Sequence, residues 1–589
     1  MENIFIAERQ GIQSPPSAAG AGRIISVLYE PGMEYFYDFF DAEHYEALYY
    51  ALDEAVDRFL LENKTETALL YRDISLLQCF RLALFLYLLN AEILQRTFRR
   101  LAASSADASF HIEEHDFNGY APYLSKIVPS ACPDLLSRVV MTPLQTAKPR
   151  TSVSAKNLFK NLLWPSRVHR RGVHNPQALV YSDYYRASAV MKRLGNTNCV
   201  YYTCFPEPKL FFTSLRYGFA YVQNVFSKSK QTAAHRQSER FAAAIHRLLV
   251  SETAFRKFPQ LPCIAKEALD SFFKTELPAL LFQIDCAHEL FERYPSIQST
   301  LLDEDLSPFK NALCQVAQKF NKKCYVEAHG ALGDKYGYLP LTADHMFVWG
   351  EAQKNKLVEW GCPPDRMIVS GCSKYEAYKN TKDGSSRDGL AKKYGFSPNR
   401  SIVSFFPFPN LDRRLWYNKI LQERVEFILN SLKSEKIQFI IKLHPGEIYK
   451  SFYHSWAASN PQTRCAVIYG EDPLLVVKAS DFLIAHDSTM AVDGFAMGKP
   501  VIFFPLFPES IFSNSSVSEF YKYGVFYRPA GDEEFHGTLK ALLKNPQFPA
   551  TEDNWNRMRR DGLSEGGPLP EEIMSRHLLG QIPHEEFSR

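Results

Sequence analysis

The stretch Ala479–Pro505, ASDFLIAHDSTMAVDGFAMGKPVIFFP, carries the strongest fold signal in the chain. Its pattern predicts a buried strand over Phe482–Ala485, a polar turn over His486–Thr489, a helix over Met490–Met497 and a second strand over Val501–Phe504. A strand that enters a helix through a Ser/Thr turn leaves unpaired backbone N–H groups at the carboxyl edge of a parallel sheet. Such an edge favours the binding of phosphate.

The composition is that of an ordinary globular protein with more than one domain. The chain has 589 residues, of which 46% are hydrophobic and 23% charged, and its formal net charge of +3 gives no reason to expect a nucleic-acid partner. Its 11 cysteines show no CxxC pair, which favours reduced thiols in the cytoplasm. The longest apolar run, Leu82–Leu89, is far shorter than the roughly 20 residues of a membrane-spanning helix, and the N-terminus lacks the order of a signal peptide. We expect a cytoplasmic protein, soluble or peripheral on the inner face of the cytoplasmic membrane.

Strand and helix patterns alternate along most of the chain, which predicts an α/β fold with parallel sheets. Two similar halves in tandem favour two Rossmann-like, doubly wound domains that face a cleft, with extra helical insertions in the N-terminal half. The expected divisions are a flexible leader at 1–22, an N-terminal domain at 23–375 with a helical and basic insertion at about 115–172, a linker region at 376–400, a C-terminal domain at 401–550 and a tail with a helix at 551–589.

The segment Lys148–Arg171 holds seven Lys/Arg and no acidic residue, and its apolar residues recur at helical spacing. One interpretation is an interfacial helix that lies on anionic lipid. The other is a linker helix docked on the body of the protein with a solvated basic edge. The short apolar face favours the linker helix.

In the C-terminal half, Lys442, His444 and Pro445 close a predicted strand. A His at the carboxyl end of a parallel strand points into the crevice where open α/β sheets bind ligands. There it can bond to a diphosphate and stabilise the charge of a departing group. The alternative is a His packed on a loop and satisfied by a carbonyl. The second phosphate-binding signal about forty residues later favours the functional interpretation.

That second signal comprises Asp487, Ser488 and Thr489, which precede the predicted helix. Each of these residue types is also a good helix N-cap, and a hydroxyl can serve both purposes. Asp493, about one turn into the helix, is equally well explained as a ligand for a ribose hydroxyl or as an acid favoured by the helix dipole. Gly498 is interpreted as a helix C-cap only.

In the N-terminal half, His329-Gly330 follows a strand, and a glycine permits close backbone approach. His329 is expected to face His444 across the cleft and to bind phosphate or transfer a proton. Asp305 and Asp183 are further candidates for the catalytic base, although an acidic turn that caps a helix explains Asp303–Asp305 more simply. The chain lacks a P-loop, an HExxH motif, a Gly-x-Ser-x-Gly elbow and a dense Asp-x-Asp motif, which favours a metal-independent mechanism with no cofactor.

The order of several motifs resembles that of bacterial GT-B-fold glycosyltransferases of surface-polysaccharide synthesis. The most similar groups are the CDP-glycerol glycerophosphotransferases and the capsule sialic-acid or Kdo transferases, and UDP-N-acetylglucosamine 2-epimerases share the architecture more distantly. The resemblance covers about residues 296–510. The motifs are VEAHG (326–330), ADHMFVWGE (343–351), WGCPPDRMIVSGCSKYE (360–376), KLHPGE (442–447) and SDFLIAHDSTMAVDGFAMGKPVIFF (480–504).

The resemblance implies a transferase that moves a sugar or polyol phosphate from a CMP-, CDP- or UDP-linked donor to a polysaccharide or lipid-linked glycan. It implies that His444, Ser488 and Thr489 bind the donor phosphates and that His329 lies near the reacting centre, with the acceptor on the N-terminal domain. Gly330, Gly371 and Ser373 are included among the expected donor-binding residues. Two departures are Glu327-Ala328 before the His-Gly pair and the absence of a proline after Gly371. The rivals are an epimerase or hydrolase on the same scaffold and a non-catalytic assembly protein.

Overall fold

The structure is a computed structural model with an α/β architecture. The residues it describes are 2–8, 22–30, 32–64, 67–114, 122–143, 175–181, 184–203, 218–221, 228–245, 248, 254–375, 383–397, 399–412, 414–435, 437–508, 511–513, 515 and 517–581. The strands within these ranges are β1 (Asn3–Ala7), β2 (Arg23–Ser26), β3 (Glu34–Tyr35), β4 (Leu70–Tyr71), β5 (Ile74–Ser75), β6 (Ser109–Glu114), β7 (Val139–Pro143), β8 (Ala178–Tyr181), β9 (Cys199–Thr203), β10 (Gly218–Tyr221), β11 (Ser299–Leu302), β12 (Lys323–Glu327), β13 (His345–Val348), β14 (Met367–Val369), β15 (Ile402–Phe406), β16 (Gln438–Lys442), β17 (Arg464–Ile468), β18 (Phe482–Ala485) and β19 (Val501–Phe503).

All but one pair of these strands belong to three parallel sheets. The first sheet has the order β3-β2-β1-β6-β7, the second β10-β9-β8-β11-β12-β13-β14 and the third β17-β16-β15-β18-β19; β4 and β5 form a separate antiparallel pair. In each sheet the chain winds outward from one central strand and then returns to wind outward on its other side. This is the doubly wound order, and its ligand sites lie at the carboxyl ends of the strands where the winding reverses. The predicted fold class is confirmed by the second and third sheets, which are two doubly wound parallel units.

The first sheet corrects two expectations. The leader predicted at 1–22 is wrong for Asn3–Ala7, because β1 is the central strand of this sheet and pairs with both β2 and β6. Its residues Ile4 and Ile6 are fully buried, so the short apolar run NIFIA has the burial of a core strand. The insertion predicted at 115–172 also contributes an edge strand, β7, which pairs with β6. The basic segment 148–171 lies outside the described residues.

Helices cover the faces and ends of the sheets. Their bounds are Tyr45–Glu62, Leu76–Cys79, Arg81–Ser104, Leu124–Ala131, Tyr184–Asn198, Lys228–Ile245, Leu261–Thr275, Leu277–Arg293, Pro308–Lys319, Glu351–Glu359, Asp383–Tyr394, Asn418–Ser434, Lys450–Ser459, Pro473–Ala479, Met490–Ala496, Asp532–Lys544, Glu552–Arg557 and Pro570–Leu578. The helix Arg81–Ser104 is buried on most sides, as its nearly continuous apolar sequence predicts.

The C-terminal helix returns to the second sheet after the third sheet is complete. Met574 and Leu578 are fully buried in one cluster with Val180 and Phe347, which lie on strands of the second sheet. Ser299 on β11 donates a hydrogen bond of 2.7 Å to the carbonyl of Leu578. The helix itself was predicted from the sequence, and its position ties the segment after the third sheet back to the second sheet.

The first sheet packs against a loop of the third. Tyr35 donates from its hydroxyl to the carbonyl of Leu415 (2.9 Å), and Tyr37 donates to that of Arg414 (2.7 Å). The guanidinium of Arg414 lies over the ring of Tyr123, 4.3 Å from its centroid. The loop after β15 therefore lies between the first sheet and the carboxyl edge of the third.

Candidate functional site between the second and third sheets

The His-Gly loop after β12 contacts the Ser/Thr turn after β18. The backbone N–H of Ala331 donates a hydrogen bond of 3.1 Å to Oγ1 of Thr489. A Cβ atom at Gly330 would lie only 2.6 Å from the same oxygen, so the close approach requires a glycine. Each turn follows the carboxyl end of its strand.

His329 is held by stacking on a neighbouring ring. Its imidazole lies parallel to the ring of Tyr338, with centroids 4.7 Å apart and an interplanar angle of 4°. Tyr338 is fixed in turn, because its hydroxyl donates to the carbonyl of Ala331 at 3.0 Å. His329 stays half-buried beside Thr489, which is also half-buried. This arrangement gives the imidazole a defined orientation at the boundary of the two sheets.

The carbonyls of the same loop accept hydrogen bonds from two side chains that follow β13. The indole N–H of Trp349 donates to the carbonyl of Ala328 at 3.1 Å, and the side-chain amide of Gln353 donates to that of Gly330 at 3.0 Å. Gln353 also accepts the backbone N–H of Trp349 at 3.0 Å. The motif ADHMFVWGE thus contributes the support of the loop, with Trp349 itself buried.

The polar residues of the turn after β18 are engaged mainly as hydrogen-bond acceptors. Asp487 accepts the N–H of Leu506 at 2.6 Å, and Ser488 accepts that of Met490 at 3.2 Å. The helix that follows is only 7 residues long. A hydroxyl that accepts from an N–H keeps its own proton. Ser488 and Thr489 can therefore donate that proton to a phosphate while they hold the turn.

Asp493 joins the two sheets. One of its carboxylate oxygens accepts the hydroxyl of Tyr375 at 2.7 Å and lies 2.7 Å from the ammonium of Lys374. Both partners follow β14 of the second sheet, and the side chain of Asp493 is 4% exposed. These contacts commit the carboxylate to the protein and leave the ribose interpretation without support from its position.

Gly371 and Ser373 lie next to the tail. Gly371 has a φ of +83°, and a Cβ there would lie 2.9 Å from Cγ of Pro570. Ser373 donates to the carboxylate of Glu327 at 2.7 Å, and both side chains are buried. The two predicted donor-binding residues are thus packed against the protein.

At the carboxyl end of β16, Lys442 and His444 have different environments. The ammonium of Lys442 donates to the carbonyls of Leu443 and Tyr469, each at 3.0 Å, and burial lowers the pKa of this amine. His444 is exposed, and its Nδ1 accepts the N–H of Gly446 at 3.1 Å. Although its surface is accessible, protein around the imidazole removes part of its hydration, and this desolvation, followed by the charge of Lys442, lowers the pKa of His444. A neutral imidazole bonded in this way carries its proton on Nε2 and can donate it to a ligand.

His444 and Thr489 belong to the same edge of the third sheet. The strand β16 neighbours β15, which neighbours β18. Adjacent strands lie about 4.8 Å apart, so two spacings separate the ends of β16 and β18 by about 10 Å. A diphosphate with an attached group spans such a distance. Pro445 is exposed at this edge, and its carbonyl accepts from Lys450 at 3.3 Å.

Asp305 holds the loop before β13 by hydrogen bonds to its backbone. Its carboxylate accepts the N–H groups of Thr342 at 2.6 Å and Ala343 at 2.7 Å, and burial raises its pKa to about 7. The side chain is 1% exposed, which fits the support of the loop before β13 better than contact with a substrate. Asp183, the other predicted carboxylate base, lies outside the described residues.

Glu519 is a site-adjacent residue that the sequence analysis missed. Its carboxylate accepts the N–H of Leu332 at 3.0 Å, so a residue of the third unit bonds to the His-Gly loop of the second. Burial raises the pKa of Glu519 to about 8, and the side chain therefore carries a proton at neutral pH. A single Glu in the segment NSSVSEFYKYG matches no motif. Only its tertiary position reveals it.

Within the described ranges, no group of three or more His, Cys, Asp or Glu side chains is arranged to hold a metal ion. None of the helices there combines the length and apolar character needed to cross a membrane.

Comparisons with known proteins give structural likenesses only. No protein-family model matches the chain, and no curated protein matches it in sequence. Among solved structures, UDP-GlcNAc 2-epimerase from Neisseria meningitidis bound to UDP-GlcNAc is similar at 12% identity and a TM-score of 0.44, covering 69% of this chain and 100% of its own. The UDP-GlcNAc 2-epimerase from Methanocaldococcus jannaschii, in complex with UDP-GlcNAc and UDP, has 14% identity and a TM-score of 0.41 over 66% of this chain and 100% of its own. MurG from Acinetobacter baumannii has 10% identity and a TM-score of 0.37 over 69% and 100%. The function proposed below therefore rests on the geometry of this chain.

Proposed function

We propose that this protein is a metal-independent transferase that takes a sugar or polyol phosphate from a nucleotide-activated donor and gives it to a saccharide or lipid-linked glycan. The observation that carries the proposal is the meeting of His329-Gly330 with the turn Ser488-Thr489. It brings a histidine and two hydroxyls together at the carboxyl edges of two doubly wound sheets, where such sheets bind ligands.

In the proposed mechanism the donor phosphates bind along the edge of the third sheet. Ser488 and Thr489 donate hydroxyl protons at one end, and His444 donates from Nε2 at the other. The acceptor oxygen attacks the transferred group in line, the bond to the nucleotide phosphate breaks, and its electron pair leaves with the nucleotide. His329 takes the acceptor proton. Asp493 serves to hold the two sheets together.

The donor nucleotide is CMP, CDP or UDP in this proposal, and the protein works in the cytoplasm. For the basic segment 148–171 we keep two interpretations: a linker helix docked on the body of the protein, which the short apolar face favours, and a peripheral contact with the anionic inner face of the membrane. Flotation with anionic liposomes, compared between the full chain and a chain without 148–171, tests that contact. Equal flotation of the two proteins would contradict it.

A thermal-shift panel of CMP, CDP, UDP and GDP tests the donor site. A nucleotide at 100 times its Kd stabilises the native state by about 2.7 kcal/mol and raises its melting temperature. We expect one nucleotide to stabilise the wild-type protein and to lose most of that effect with His444→Ala and with Thr489→Val. Thr463→Val is the matched control, since Thr463 precedes β17 at the opposite edge of the sheet.

Absence of a shift with all four nucleotides, or an undiminished shift in both site variants, would contradict the donor site. Conversion of the cognate nucleotide sugar without any acceptor would favour the epimerase or hydrolase over the transferase.

A further inference from the structure

Loops from all three sheet units meet beside the candidate site in a group of aromatic side chains, here called the aromatic junction. The first unit contributes its helix Tyr45–Glu62, the second the loop 334–338, and the third the loops after β15 and β19. The members of the junction are Tyr45, Tyr49, Asp334, Tyr336, Trp416, Tyr417, Phe507 and Phe512.

The rings form a continuous series across the three units. Tyr336 of the second unit lies 5.6 Å from Tyr49 of the first, and Tyr45 of the first lies 4.9 Å from Trp416 of the third. Trp416 stacks on Phe507 with centroids 5.2 Å apart and an interplanar angle of 19°. The backbone N–H of Tyr336 also donates to the hydroxyl of Tyr49 at 3.1 Å. The first unit thus contributes to the aromatic junction through its helix Tyr45–Glu62, and the sequence assigned this unit no role.

Asp334 is the acidic group of the junction. Its charge acts on the hydroxyls of Tyr336, Tyr45 and Tyr417 and raises the pKa of each. The neighbouring Lys335 pairs with Asp53, 2.9 Å away on the first unit. The local cation is therefore paired with another carboxylate.

Some members are deep in the molecule and still accessible. Tyr49 and Trp416 are closed off, at 1% and 5% exposure. Tyr45, Tyr417 and Asp334 keep intermediate exposure, although burial is the main cause that raises the pKa of each of them. Groups that are surrounded by protein but reachable by solvent line a cleft, whereas a closed core excludes solvent.

The junction is continuous with the candidate site through one loop. His329 stacks on Tyr338, and Asp334 and Tyr336 lie between these two residues in the chain. A group bound against the junction would thus be next to the proposed proton acceptor.

We infer that the aromatic junction is a subsite for a neutral saccharide, with a sugar ring against Tyr45, Tyr336 and Tyr417 and its hydroxyls donating to Asp334. This inference rests on the proposed function and names its acceptor class. Aromatic rings with one polar tip suit a ligand that has an apolar face and several hydroxyls. A carboxylate at this point repels phosphate and carboxylate groups, which separates the subsite chemically from the donor edge at His444.

Saturation-transfer NMR with the full-length protein tests the subsite. The probes are neutral mono- to tetrasaccharides of glucose, galactose and N-acetylglucosamine, with sialylated and sulfated saccharides of the same size for comparison. We expect at least one neutral saccharide to bind more tightly than its anionic counterparts. Asp334→Asn, which preserves shape, should weaken that binding about 10-fold or more, as expected for hydrogen bonds to a charged group.

Tyr45→Ala should weaken binding as well, and Tyr45→Phe should retain most of it because the ring remains. Asp388→Asn on an exposed helix is the matched control and should have no effect. Unchanged melting temperatures in Asp334→Asn and Tyr45→Phe verify that the fold is intact.

Failure of every neutral saccharide to bind the wild-type protein would overturn the subsite and leave the junction as a packed contact among the three units. Binding that is equal in wild type, Asp334→Asn and Tyr45→Ala would also overturn it. The thermal shift caused by a nucleotide, measured in the same Asp334→Asn protein, separates the two proposals. A retained thermal shift together with lost saccharide binding supports both. A missing thermal shift in the wild type refutes the donor site alone.

Discussion

Gly330→Ala tests directly whether the His-Gly loop and the Ser/Thr turn meet as described. The added Cβ would lie 2.6 Å from Thr489 Oγ1 and 3.4 Å from the hydroxyl of Tyr338. Ordinary contact begins at 3.4 Å, so Thr489 has to retreat by about 0.8 Å or turn its hydroxyl away. Either movement strains or breaks the bond from Ala331 N–H.

The expected cost follows from these two effects. Loss of a neutral hydrogen bond costs about 0.5–1.5 kcal/mol. An extra methyl group in a packed contact costs about 1–3 kcal/mol. We therefore expect the local contact to weaken by about 1–3 kcal/mol, which corresponds to about 5- to 150-fold.

Hydrogen exchange followed by mass spectrometry measures this local opening. The amides of Ala331 and Leu332 bond to Thr489 and Glu519 across the two units, so a peptide that covers 329–333 reports on the contact. Exchange of this peptide should accelerate by the stated factor while core strands such as β18 remain protected. Gly537→Ala is the matched control, because a Cβ at Gly537 meets no atom within 4 Å.

A double-mutant cycle distinguishes the clash from general damage. Thr489→Ala removes the oxygen that the new methyl group would strike, so Gly330→Ala should add little to the exchange rate in that background. Additive effects of the two substitutions, or unchanged exchange in Gly330→Ala alone, would refute the described geometry.

Three further outcomes follow from the same structure. Asp493→Asn leaves Lys374 beside an uncharged partner. It should lower the free energy of unfolding, read from urea midpoints, by about 1.5–3 kcal/mol. No loss would show that the ion pair is open in solution. Met574→Ala should lower the free energy of unfolding by about 2–5 kcal/mol, whereas Leu569→Ala, at an exposed position, should change it little. Equal effects of the two substitutions would contradict the docking of the C-terminal helix. Burial raises the pKa of Glu519 from its ordinary 4.5 to about 8, so the folded state holds a proton that the unfolded state releases between these values. The stability from this group is complete below about pH 4.5 and is lost as the pH rises to about 8, by at most 1.36 kcal/mol per pH unit. Glu519→Gln should reduce the slope of unfolding free energy, read from urea midpoints between pH 5 and 8, by up to that amount, while the slope from Glu8 and Asp305, whose pKa values are also raised, remains.

The third sheet was largely predictable, since its strands β15, β16, β18 and β19 are mainly apolar runs buried on both faces. Phe482–Ala485 has the predicted bounds, and the strand expected just before His444 is Gln438–Lys442. Each strand is bounded by residues that end regular structure, such as Gly498 and Pro500 before β19. In this half the local pattern and the tertiary structure favour the same elements.

The first sheet was not predictable because its signals are short and its pairings are distant. Its strand β3 has only 2 residues, and β1 pairs with β6, whose partner residues follow more than 100 positions later. A five-residue apolar run before a Gly- and Pro-rich stretch has the same local pattern in a leader as in a central strand. Only the pairing partner decides between them.

Residue types alone did not separate ligand-binding groups from structural ones. Asp493 and Asp305 occupy positions that suit a ribose ligand and a base, but their carboxylates are used by Lys374 and by backbone N–H groups. That His329 and Thr489 each follow a strand of a doubly wound sheet was predictable, because topology alone determines this edge; their roles in ligand binding stay predictions.

The contacts between the second and third units differ in kind. At the site they include two hydrogen bonds from Ala331 and Leu332, about 0.5–1.5 kcal/mol each, the bond from Tyr375 to Asp493, and the buried pair of Lys374 and Asp493, whose net contribution is small because desolvation offsets attraction. The C-terminal helix instead buries Met574 and Leu578 completely, at about 1.5–3 kcal/mol each. Polar contacts therefore hold the candidate site, and buried apolar side chains hold the C-terminal helix. Under the proposed function, a donor that enters between the two sheets exchanges the polar contacts for its own, while the C-terminal helix keeps the sheets joined.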